Sequence, residues 1–129
     1  IATSGLDIKA LIWKTSTGEL LSTLIAADKR ITNVEFNPDP GVSRVLTTGT
    51  DNVVRVWDPT GPFGREVLKV TRDSRLIYAK WSPDARTILS CWKDGVVRLY
   101  KTIPIDTFAE ITDADEMVDR VEQWRVIQN

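Results

Sequence analysis

The sequence predicts an all-β chain made of short antiparallel sheets that recur along its length, followed by one C-terminal helix. Three observations carry that reading. Short segments alternate apolar and polar side chains with a period of two and are rich in Val, Ile, Thr and aromatic residues, as half-buried strands are. Tight Asp-containing turns and Pro-Asp endings punctuate these segments. The same order of landmarks then returns along the chain, and a recurrence of this kind decides the fold before any single strand is assigned.

The stretch VLTTGTDNVVRVWD (residues 45–58) sets the pattern: a Thr-rich strand, a turn containing Asp51, and a Val-rich strand ending in Trp57. IATSGLDIKALIWK (1–14) repeats it 44 positions earlier, with Asp7 and Trp13 in register, and ILSCWKDGVVRLYK (88–101) repeats it 43 positions later, with Asp94 and Tyr100. A second landmark has the same period, since ITNVEFNPD (31–39) and LIYAKWSPD (76–84) both alternate and both end in an aromatic residue, a small polar residue, Pro and Asp. A weaker fourth strand follows, ELLSTLI (19–25) in the first unit and GREVLKV (64–70) in the second. The result is a four-stranded antiparallel sheet recurring every 43 to 45 residues, which is the period of β-propeller blades.

VRVWD (54–58), the Asp turns in LDIKALIW, TDNVVRVW and KDGVVRLY, and the NPD and SPD endings together resemble the WD-repeat β-propeller family. The resemblance covers residues 1–112, in units of about 1–25, 31–70 and 75–112, and leaves 113–129 as a separate helical segment. It implies a ring of blades acting as a rigid platform for protein assembly, without catalysis and without a cofactor. Such repeats often carry a Gly-His pair ahead of the innermost strand, whose imidazole links the turn Asp to a strand Ser or Thr and to the Trp. This chain has no histidine, so that network cannot form, and its blades are expected to depend more on packing and strand pairing.

The residues have plain structural readings. Asp7, Asp51 and Asp94 are read as acids that hold their turns by accepting local backbone N–H bonds. Trp13, Trp57 and Tyr100 are read as flat side chains filling the space between neighbouring sheets. Cys91 is read as a small buried strand residue, and a single cysteine can form no internal disulfide. Without histidine there is no Ser-His-Asp or Cys-His arrangement, and no glycine-rich loop opens a helix to cradle phosphate. Asp113, Asp115 and Glu116 stand at an expected helix start, where carboxylates favour the positive end of the helix dipole.

In DADEMVDRVEQWRVIQN (113–129), Met117, Val121, Trp124 and Gln128 share one face of a helix expected over about 113–127. That face either docks on its own blade or projects to bind a partner with Trp124 as the anchor. The 129 residues carry 17 basic and 18 acidic side chains, a net charge of −1, so no overall field favours nucleic acid or a membrane surface. No stretch approaches the roughly 18 apolar residues of a membrane span. An intracellular location, cytoplasm or nucleus, is expected.

A three-blade arc leaves two blade faces uncovered. The chain is therefore expected to belong to a longer propeller or to associate with other arcs, and not to behave as a monomer by itself. In the family's geometry, the loop into each innermost strand and the Asp turn share one rim. Here that rim gathers Lys29, Arg30, Arg72, Arg75, Trp92 and Lys93 as candidate partner contacts, because exposed Trp and Arg are the composition of an interface hot spot. The expected partners are other protein subunits, including the rest of a propeller; a nucleic-acid or chromatin partner held by the basic rim is the alternative.

Overall fold

Val45 and Leu46 are adjacent, both fully buried, and belong to two different hydrophobic clusters. This is the signature of a sheet buried on both faces, since successive strand residues point to opposite sides. The computed structural model, which describes residues 1–26, 29–102 and 108–110, is all-β over those residues and forms three antiparallel sheets. The helix expected over 113–127, and Trp124 with it, lies outside the described residues.

The first sheet runs β1 (Ala2–Ser4), β2 (Lys9–Trp13) and β3 (Leu20–Ile25), in that order. The second runs β4 (Ile31–Phe36), β5 (Val45–Gly49), β6 (Val53–Asp58) and β7 (Arg65–Thr71). The third runs β8 (Leu76–Trp81), β9 (Thr87–Trp92), β10 (Val97–Thr102) and β11 (Phe108–Glu110). Each is a meander in which chain neighbours pair antiparallel. The turns after β5 and β9 need a left-handed residue, supplied by Asn52 (φ 59°) and Gly95 (φ 84°), two residue types that tolerate it.

The sheets stack face to face as blades. Ala10, Ile12 and Leu24 of the first pack on Ile31, Val45 and Trp57 of the second. Leu46, Val54, Val56 and Val70, on the second sheet's other face, pack on Ala79, Trp81, Ile88, Trp92 and Tyr100 of the third. The leading strand of each later blade lies against its predecessor, β4 on β1 and β8 on β5. In one such contact Asn37, buried after β4, donates from Nδ2 to the carbonyl of Ala85 at 3.1 Å, and Ala85 holds a left-handed φ of 65° at the tip of the β8–β9 turn.

The outer edge is tied as well. The amide of Thr23 in β3 donates to Pro62 at 2.9 Å, and the amide of Gly64 donates to Thr23 at 3.0 Å, so the loop after β6 forms a short parallel bridge to the preceding blade. A side chain at Gly64 would collide there, because a Cβ would stand 2.1 Å from Leu24 Cδ2.

Candidate partner-binding rim

The turn acids recur in geometry as well as in sequence. Asp7 Oδ1 accepts the amide of Lys9 at 3.2 Å, Asp51 Oδ1 that of Val53 at 3.3 Å, and Asp94 Oδ1 that of Val96 at 3.1 Å. A carboxylate accepting the amide two residues on closes the turn locally. The strand-ending aromatics repeat a second link. Trp13 Nε1 donates to Thr3 Oγ1 at 2.9 Å and Trp57 Nε1 to Thr47 Oγ1 at 2.8 Å, while the Tyr100 hydroxyl bonds Ser90, which also accepts Trp92 Nε1 at 3.1 Å. Burial raises the Tyr100 phenol above its ordinary range.

Arginines occupy the second oxygen of two turn acids. Arg55 Nη2 donates to Asp51 Oδ2 at 2.6 Å and Arg55 Nε to Glu66 Oε2 at 3.1 Å, with the arginine only 4% exposed inside the first junction. In the third blade the partner comes from the preceding loop: Arg72 Nη2 donates to Asp94 Oδ2 at 2.6 Å, and the same guanidinium lies over the Trp92 ring, 5.9 Å from its centroid. The Arg72 bond, then the Val96 amide, hold the Asp94 carboxyl below the usual range.

The loop into each leading strand lies beside the next turn. The carbonyl of Arg30 accepts the amide of Thr50, and that of Arg75 accepts the amide of Lys93, both at 2.9 Å. Neighbouring blades meet there too: the amide of Ile31 donates to the Asp7 carbonyl at 3.2 Å and that of Leu76 to Asn52 Oδ1 at 3.1 Å. Lys29, Arg30, Arg75 and Lys93 are exposed on this rim. A cleft of about 380 Å³ opens there between the first two blades, lined in part by Ser4, Leu6, Arg30 and Thr32.

Trp92 requires a correction. It is 3% exposed, inside the core between the second and third blades, so it supports Arg72 from below and presents no surface anchor. Arg72 itself is half-buried. Composition misled here because a Ser-Cys-Trp-Lys run at a strand end has no sign of which way the indole turns. The reading of the sequence also missed Arg55 and Glu66; the signal available was a lone Arg inside the apolar run Val53–Trp57, four residues after Asp51.

Elsewhere the chemistry is spare. Glu35 on β4 accepts a backbone hydrogen bond from Trp81 and lies near Lys80, yet burial pushes its carboxyl above the ordinary range. Burial likewise raises the Cys91 thiol. On the opposite rim Asp58 is held below the usual range by the Thr60 hydroxyl and amide, with Arg44 and Arg65 each 3.7 Å away. Among the described residues no cluster of acids or cysteine is placed to hold a metal ion, and no helix is long and apolar enough to cross a membrane. Asp113, Asp115, Glu116 and Trp124 lie outside the described residues.

Residues 18–58 match the family described as WD domain, G-beta repeat. A pre-mRNA-processing factor 19 homolog 2 from Arabidopsis thaliana is 39% identical over 123 residues, covering 92% of this chain and 23% of that protein. A serine-threonine kinase receptor-associated protein from Gallus gallus is 34% identical over 100 residues, 77% of this chain and 27% of its own length. A probable coatomer subunit beta' from Schizosaccharomyces pombe is 25% identical over 99% of this chain and 15% of its own. The chain thus spans about a quarter or less of these relatives. Among solved structures, a chain of the mitotic checkpoint complex shares the fold with a TM-score of 0.65 at 22% identity, over 78% of this chain and 32% of that one. A computationally designed protein gives 0.66 at 22% identity, over 84% and 31%. With three stacked antiparallel sheets, repeating Asp turns and these matches, the chain is a partial WD-repeat β-propeller.

Proposed function

We propose that this segment is a non-catalytic scaffold that mediates protein–protein contacts in an intracellular multiprotein complex. The observation that carries the reading is the rim: Arg30 and Arg75 stand at equivalent positions of two successive blades, each fixed through its own carbonyl, with both guanidinium groups outside the core. Rigid placement of exposed arginines lowers the ordering cost of binding. WD-repeat proteins generally act as such platforms, and the names of the relatives include a receptor-associated protein and a coatomer subunit. Lys29 and Lys93 extend the same surface.

The test is the native mass of the particle containing this chain, by light scattering with mass spectrometry of whatever copurifies. A large assembly with other protein chains supports the scaffold. A discrete homo-oligomer overturns it and makes arcs of this chain complete one another. Copurifying RNA or DNA, released steeply by salt, replaces it with the nucleic-acid reading. Arg30→Glu with Arg75→Glu is expected to strip the protein partners without changing the unfolding midpoint.

A further inference from the structure

The connection from β7 to β8 reads Thr71-Arg72-Asp73-Ser74-Arg75, and residues 72–75 lie outside the strands. Ser74 is half-buried, with an exposed residue on each side. Two hydrogen bonds tie it and Arg75 to the turn after β9: the amide of Asp94 donates to Ser74 Oγ at 3.3 Å, and the amide of Lys93 to the Arg75 carbonyl at 2.9 Å. Arg72 Nη2 holds the carboxylate of the same Asp94 at 2.6 Å. Serine and arginine thus converge on one residue, the first on its amide and the second on its carboxylate. Arg75 is exposed, and its guanidinium has no ion-pair partner among the described residues. With Arg30 and Arg75 equivalent, the preceding loop has Lys29 where this one has Ser74, so a hydroxyl stands at a rim position that otherwise carries a cation.

We propose that Ser74 is a phosphorylation site for a protein kinase whose acidic groove reads the arginines two positions before and one after it, and that the phosphate draws Arg72 away from Asp94. In the step itself the γ-phosphoryl of ATP passes to Ser74 Oγ. The new O–P bond forms as the bond to the bridging oxygen breaks, ADP leaves with that electron pair, and the hydroxyl proton goes to the kinase's base. The hydroxyl's bond to the Asp94 amide lies near solvent, where local opening costs little. Once in place, the phosphate carries a charge of about −1.5 to −2 and three acceptor oxygens, against the single charge of the Asp94 carboxylate. It repels that carboxylate and competes with it for Arg72, and Arg75 is next to it in the chain. The Arg72–Asp94 pair is itself close to solvent and contributes little to stability, so the fold does not resist the exchange. An anion beside Arg75 also opposes the charge of the rim; this last effect rests on the proposal that the rim binds partners, whereas the modification and the exchange do not.

Incubating the full, folded protein with ATP, magnesium and each of several kinases that select arginine near the acceptor serine tests this, with mass spectrometry locating the phosphate. Ser74 is expected to be modified, and Arg72→Gln to slow its modification about fivefold or more. Phosphorus NMR then reads the exchange. A phosphate held by Arg72 and Arg75 takes up its second proton only below the ordinary value of about 6, and the same protein unfolded in urea returns to that value. Absence of phosphate at Ser74 overturns the proposal, and so does a titration that unfolding leaves unchanged. The phosphorylated protein is also expected to recover its protein partners about fivefold less well or worse, as Arg30→Glu with Arg75→Glu does. Partners kept by the phosphorylated protein but lost by the arginine variant overturn control of the rim by Ser74. Partners kept by both overturn the rim as a binding surface, and the site at Ser74 then stands on the first two results.

Discussion

The two junctions between blades solve one problem from opposite directions. At the first, the turn acid Asp51 is met by Arg55, four residues further on, and the buried arginine also bonds the exposed Glu66. At the second, Asp94 is met by Arg72, 22 residues back, and the pair stays near solvent over the Trp92 ring. Both place a guanidinium on the turn carboxylate. The difference is energetic: a buried ion pair becomes a liability once one partner is lost, whereas a solvent-screened one contributes little. The first junction is therefore a structural tie, and the ion pair of the second adds less to stability.

Removing the large aromatics should have the greatest effect and show that packing dominates both junctions. Trp57→Ala and Trp81→Ala, at residues 4% and 1% exposed, are each expected to cost about 3–5 kcal/mol in chemical denaturation. Losses below about 1 kcal/mol would remove packing as the main contribution. The turn acids break the symmetry directly. Asp51→Ala leaves Arg55 buried beside Glu66 alone and should cost about 3 kcal/mol, while Asp94→Ala should cost a small fraction of that; equal losses would mean that the junctions do not differ. Gly64→Ala probes the first junction only, with about 1–3 kcal/mol expected from the collision with Leu24.

The smallest effect concerns protons. Glu35, which reaches the backbone of Trp81 across the second junction, has its carboxyl raised by burial, so the folded protein holds that proton more tightly than the unfolded chain. Stability contributed by this group is then highest at low pH, falls as pH rises from about 4.3 through the raised folded value, and is level above it. Glu35→Gln should abolish this slope and stabilise the protein modestly at neutral pH. Asp94 acts in the opposite sense: its carboxyl is lowered, so its contribution is present above the ordinary aspartate range and is lost as pH falls below it. Unfolding midpoints of wild type, Glu35→Gln and Asp94→Asn across acid pH separate the two, and a Glu35→Gln profile matching wild type would dismiss the Glu35 effect.

Much of the fold can be read from local chemistry. Pro-Asp endings, Asp turns and period-two alternation are short-range signals, and the strands from β4 to β10 lie where those signals put them, to within a residue or two. The site is harder to read because its geometry depends on separations that the pattern does not encode. Arg72 finds Asp94 across a whole hairpin, and Arg55 is buried in a strand position where alternation alone gives no hint that two acids converge on it. Trp92 shows the same limit from the other side: its neighbours Cys91 and Lys93 are less buried, and only the stacking of the second and third blades decides that the indole turns inward.

The bridge from Thr23 to Pro62 and Gly64 has a consequence for how the chain is made. Synthesis proceeds from the amino terminus, so β3 leaves the ribosome with its outer backbone groups unmatched and keeps them so until the loop after β6 has followed. The first blade is finished only by residues belonging to the second. In that interval a bare strand edge is open to chaperones or to other nascent chains, and a pause in translation between β3 and Gly64 would prolong this exposure.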